Sequence, residues 1–125
     1  MARTFKTSDF KKWADKEGIT DQCLLNAVDE MNRGLVDAEI CRNVVKKRVA
    51  REGQGKRGSY RTLLAFRAND KAFYIFGFAK NDRENINNSE KDAIRALADE
   101  FFAMTEQQIQ RSIEAMKLYE VTKQE

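Results

Sequence analysis

The chain has 125 residues, 42% of them hydrophobic and 34% charged, with 23 basic and 20 acidic side chains and a net charge of +3. That length suits one domain around a single core, expected to span residues 1–125. No apolar run approaches the roughly 20 residues needed to cross a bilayer, and the absence of histidine leaves neither a histidine-based triad nor a Cys/His zinc site.

The amino terminus, MARTFKTSDFKKW, lacks the apolar stretch and cleavage site of a secretory signal. A cytoplasmic protein that uses no membrane is therefore expected. A first helix should start at Ser8 as N-cap, carry Phe10, Trp13 and Ala14 on one face and stop at Gly18. A second, from residue 20 or 21 to about 33, sets Leu24, Leu25, Val28 and Met31 at helical spacing, with Gly34 just beyond its end. Cys23 and Cys41 are expected to be free thiols. The stretch LVDAEIC reads as a connector or short turn.

Strands follow at about 43–50, at 59–67 and in KAFYIFGFAK (71–80), the last apolar and aromatic on both parities, which marks a central strand covered on both sides. Asn69-Asp70 suits a two-residue hairpin turn, because both residues tolerate left-handed backbone. Ser89 with Asp92, then Thr105 with Gln108, start two further helices, and the tail beyond Tyr119 is unassigned. The fold class is thus α+β: amino-terminal helices, an antiparallel sheet of three or four strands, and carboxy-terminal helices. The helices should cover one sheet face and leave the other partly open.

The charge is unevenly placed. Residues 42–67 hold nine basic side chains against one acid, so the rest of the chain, with 14 basic and 19 acidic residues, is acidic. A two-residue turn puts Arg61 opposite Phe78, Leu63 opposite Phe76 and Ala65 opposite Tyr74, all on one face, with Lys80 beside Arg61. Lys46 and Arg48 share a face that should join this open side, while Val45, Lys47 and Val49 point the other way. The loop REGQGKRG adds Arg51, Lys56 and Arg57. A basic surface with aromatic rings in it is the footprint of a nucleic-acid binder; the competing view is solvated or edge-protecting charge. Gly53, Gly55 and Gly58 spell G-x-G-x-x-G, but a strand follows where a dinucleotide fold needs a helix.

Such a surface can support RNA cleavage in principle. Attack of a ribose 2′-hydroxyl on the adjacent phosphate needs a proton acceptor, stabilisation of the crowded phosphate and a proton for the leaving oxygen. Lysine can serve in proton transfer when nearby cations lower its pKa, and the planar donors of arginine suit the phosphate.

The order VVKKRVAREGQGKRGSYRTLLAF, then DKAFYIFGFAKNDRENI, then paired helices resembles the RelE/ParE superfamily of type II toxin–antitoxin toxins, most closely its RelE-type, HigB-like branch. The likeness covers almost the whole chain. It implies a RelE-like toxin domain that cleaves messenger RNA in the ribosomal A site, without metal or cofactor. It also implies a cognate antitoxin, a helix-turn-helix protein from the adjacent gene, through which alone the toxin would reach operator DNA. Lys46, Arg48, Arg61 in SYR, and Lys80 match the family's phosphate-contacting positions and are the expected catalytic set. Lys47, Arg51, Lys56, Arg57, Arg67 and Arg83 are the expected RNA-binding set. Two positions depart from the family pattern: Asn81 stands where an arginine is common, with Arg83 nearby, and Asn87 falls near a tyrosine position. The alternative is a non-catalytic inhibitor on the same fold, a ParE-like gyrase poison or a plain nucleic-acid-binding module.

Overall fold

The computed structural model describes residues 3–51, 55–78 and 88–122. In chain order they form β1 (Arg3–Thr7), α1 (Ser8–Glu17), α2 (Asp21–Asn32), β2 (Ala38–Cys41), β3 (Val44–Arg51), β4 (Gly55–Phe66), β5 (Lys71–Phe78), α3 (Asn88–Ala103), α4 (Glu106–Glu114) and β6 (Leu118–Val121). The fold is α+β. The strands make one sheet in the order β2-β3-β4-β5-β1-β6, antiparallel except where β1 runs parallel to β5.

The helix ends follow local chemistry. Thr7, one residue before the expected Ser8, caps α1 by accepting from the Phe10 N–H at 3.2 Å, and Gly18 closes it at φ 74°. Thr20 caps α2 in the same way. At its far end Gly34 takes φ 90°, and the Leu35 N–H reaches back to the Glu30 carbonyl at 3.0 Å. In α4 the capping box is complete: the Gln108 N–H donates to the Thr105 hydroxyl, and the Thr105 N–H to the Gln108 side chain.

Three strands are additions to the expected sheet. LVDAEIC, read as a connector or short turn, contains β2; β1 precedes the first expected helix, and β6 begins at Leu118, ahead of the tail unassigned beyond Tyr119. β1 pairs with residues almost seventy positions away, Arg3 with Lys71 through Lys6 with Tyr74. No local pattern in RTFKT announces that partner.

The helices lie on both faces of the sheet rather than one. α1 and α2 bury Phe10, Leu24, Val28 and Met31 against Val45, Val49, Leu64 and Tyr74. α3 and α4 bury Ile94, Phe101 and Ile109 against Phe5, Val44, Leu63 and Phe73 on the opposite face. The reason is visible in β5, the central strand: Phe73 stacks on Phe101 on one side while Tyr74 stacks on Phe10 on the other. A strand apolar on both parities needs two covers. The second cover is incomplete. Phe76 is 46% exposed, and Arg48 at the same end of the sheet is exposed.

The β4–β5 hairpin departs from the expected geometry twice. Its loop is three residues long, with Arg67 N–H bonded to Lys71 O and Asn69 in the left-handed region at φ 59°. Beside it the pairs are therefore Ala65 with Phe73 and Leu64 with Tyr74, not Ala65 with Tyr74. A bulge then leaves Ile75 as an extra residue, and the register beyond it returns to Leu63 with Phe76 and Arg61 with Phe78. The two one-residue shifts cancel. Arg61 sits where the simpler hairpin would have put it, but Tyr74 is turned to the α1/α2 side. There its hydroxyl donates to the Leu24 carbonyl at 2.8 Å, and burial pushes its pKa far above the ordinary tyrosine value.

Candidate nucleic-acid interface

Two rows of paired residues cross the sheet at its open end. One is Ala38–Lys46–Leu63–Phe76; the other is Arg48–Arg61–Phe78. Directly opposed residues have Cα atoms about 4.5–5.5 Å apart and share a face, so the bases of Lys46, Arg48 and Arg61 are neighbours by construction. A shallow cavity of about 320 Å³ is lined by these three residues with Asp37, Ala38 and Lys47. Lys46 and Arg61 are half-buried and Arg48 is exposed.

Arg48 directly opposite Arg61 is a like-charge cross-strand pair, an arrangement that disfavours folding. A polyanion between them would turn that repulsion into attraction. One acid joins the cavity, and sequence reading missed it. Asp37 precedes β2; its N–H donates to Lys46 O at 3.1 Å, and its carboxylate accepts from the Arg48 N–H. It thus extends the β2–β3 ladder by one bond ahead of the first residue of β2. Nothing in LVDAEIC locates Asp37 beside Arg48, because the contact exists only once β2 pairs with β3.

The other expected site residues fall elsewhere. Lys47 is buried on the opposite face, with its ammonium 2.7 Å from Glu30 and 2.9 Å from the Leu35 carbonyl. It does not face the Lys46–Arg48–Arg61 cavity with its charge. Strand alternation explains this: the ammonium at the middle of the three consecutive cations must leave the sheet toward α2. Lys6 does the same at the other end of that helix, 2.7 Å from Asp21. Lys47→Ala should therefore lower stability by about 1–3 kcal/mol, less than for a fully buried pair because Glu30 is half-exposed. Lys47→Met should cost less, since it keeps the packed stem; urea denaturation of the two variants checks this.

Arg67 is on the same face as Arg61 but six residues along β4, roughly 20 Å away. Its guanidinium lies over the Phe102 ring, 4.4 Å from the centroid. Arg51 ends β3 and pairs with Gly55, and Lys56 and Arg57 lie in the first part of β4, beyond Arg48 and Arg61; their side chains lie outside the described residues. Lys80, Asn81, Arg83 and Asn87 are also outside them. Gly55 and Gly58 are within β4, so a strand occupies the place of the helix that a dinucleotide site would require. Among the described residues no group of three His, Cys, Asp or Glu side chains could hold a metal, and no helix is long and apolar enough to cross a membrane.

A comparison with curated proteins gives no match. A family model described as the RelE toxin of the RelE / RelB toxin-antitoxin system matches residues 2–121. The match includes every strand and helix that forms the cationic cavity and its supports, and the chain belongs to this family of toxin–antitoxin toxins.

Proposed function

We propose that this toxin is a ribosome-dependent messenger-RNA endoribonuclease, neutralised by a cognate antitoxin. The observation that carries the reading is the convergence of Lys46, Arg48 and Arg61 on one cavity from two adjacent strands. In the proposed reaction a ribose 2′-oxygen attacks the neighbouring phosphorus and the bond to the 5′-oxygen breaks, leaving a 2′,3′-cyclic phosphate and a 5′-hydroxyl. Arg48 and Arg61 bracket the phosphate as charge builds on its oxygens. Lys46, with Lys80 supplied from beyond β5, serves the two proton transfers. Lys80 enters from strand alternation beyond Phe78 and from the family resemblance, and it lies outside the described residues.

The form of the cavity among the described residues supports dependence on the ribosome. It is shallow, and its cations attract any phosphate without fixing an attack geometry, a task that suits an outside scaffold. The test is translation of a defined message with purified ribosomes and mapping of new 5′ ends. Cuts within the A-site codon are expected with ribosomes, and little cutting of the same message alone. Efficient cutting of naked message at low protein concentration would mean a self-sufficient nuclease. Growth arrest without any cutting would favour the non-catalytic inhibitor.

A further inference from the structure

Phe76 is out of place for a packing residue. Among the described residues, the exposed large apolar side chains are Leu35, Val36, Phe76 and Met116, so Phe76 is the one aromatic of the set. It is also the one in the rows of the cationic face, paired across Leu63 to Lys46. Its neighbours on β5 are buried or half-buried.

The bulge explains the exposure. Ile75 packs into the α3/α4 cluster, and Gly77 faces Trp13 on the opposite side of the sheet. The extra residue lets Ile75 fill the core while Phe76, one position on, emerges on the same face beside Lys46. An uninterrupted alternation starting from Phe73 would have put Phe76 under α1 and α2. Bulges commonly re-aim a side chain next to a functional site. Here the result is an aromatic face presented to solvent alongside Lys46, with Arg48 and Arg61 in the next row.

Resting on the nuclease reading above, we propose that Phe76 is the platform on which a nucleobase of single-stranded RNA stacks beside the phosphate held by Lys46, Arg48 and Arg61. The spacing supports it. Phe76 lies two strands from Lys46, about 10 Å by strand separation, and one residue pair from the Arg61 row, about 7 Å along the strand. A nucleotide with its phosphate at the cations can lay its base over a ring at that range. Stacking is tolerant of base identity, because every base presents a π-face. Phe76 would thus hold and orient the chain without itself reading the sequence.

Four proteins test it: wild type, Phe76→Leu, Phe76→Tyr and Phe76→Trp. All should melt within about 3 °C of one another, since the ring is largely outside the core. In ribosome cleavage the Tyr and Trp variants should stay close to wild type, and the Leu variant should lose about 10-fold or more in kcat/KM. A role in packing alone would let leucine serve. Full activity in Phe76→Leu overturns the proposal, and so does normal cleavage with weakened antitoxin binding, which would make the ring a protein contact. A second measurement separates this from failure of the nuclease reading. A non-cleavable single strand of about six nucleotides, carrying a fluorescent purine analogue at successive positions, should be quenched by wild type at one position and not by Phe76→Leu. Quenching without ribosomal cleavage would sink the nuclease and keep the stacking site. Cleavage with no aromatic-dependent quenching at any position would sink the stacking site and keep the nuclease.

Discussion

Replacing Arg61 with alanine is expected to lower ribosomal cleavage by on the order of 100-fold or more while leaving the fold in place, the scale of losing one preorganised charge at a transition state. Arg61 pairs with Arg48 on one side and Phe78 on the other, and it lines the cavity with Lys46. On the nuclease reading its removal takes out a donor to the phosphate; it also relieves a like-charge pair, so melting should shift by no more than a few degrees. Arg61→Lys should recover only part of the rate: a point charge keeps the attraction but not the planar paired donors that fit a phosphate. Thermal melting and 5′-end mapping on the same three preparations decide the matter. A well-folded, fully active Arg61→Ala protein would move the chemistry away from this cavity.

Gly77→Ala should have the largest effect on stability. A β-carbon at Gly77 would stand 2.1 Å from the Trp13 ring, inside any permitted contact. Trp13 has little room to withdraw. Its centroid is 5.5 Å from Phe10 and 5.4 Å from Tyr60 in an edge-on contact. Overpacking usually costs about 1–3 kcal/mol, and a clash against a rigid ring should reach the upper end. For a chain of this size that corresponds to a fall of roughly 10 °C in Tm. Adding Trp13→Leu should restore part of the loss in the double variant, which isolates the ring as the cause. If Gly77→Ala melts like wild type, Trp13 does not rest on β5. The position matters for the site as well, because Gly77 lies between Phe76 and Phe78 and the indole beneath it supports the strand that presents both rings.

Local signals in the chain were strong where structure is local. Thr20, Gly18, Gly34 and the Thr105–Gln108 box mark helix ends because their side chains or backbone angles bond groups within a few residues. The apolar run Ala72–Ile75, with both parities filled, marks a strand with two covered faces. The concentration of charge between Arg42 and Arg67 was equally plain, and the family resemblance drew on the same residues. RTFKT, AEIC and LYEV are too short and too mixed to declare themselves as strands, and each is stabilised by a partner strand. Arg61 was placed correctly although both the loop and the ladder contain a residue the simpler geometry omits. Tyr74, lying between the two irregularities, was placed on the wrong face.

The sequence alone therefore determined the class of the fold, the approximate starts of the helices and the segment that carries the positive charge. These depend on periodicity, caps and composition, which act over a few residues. Only the tertiary structure decided how that charge is divided. Lys46, Arg48 and Arg61 meet on one face, while Lys47 turns to Glu30 and Arg67 to Phe102. It also brought Asp37 to Arg48 and, through one bulge, set Phe76 in the open beside Lys46. The physical reason is the two-residue period of a strand: one inserted residue reverses every side chain beyond it, and such insertions are fixed by pairing with distant chain.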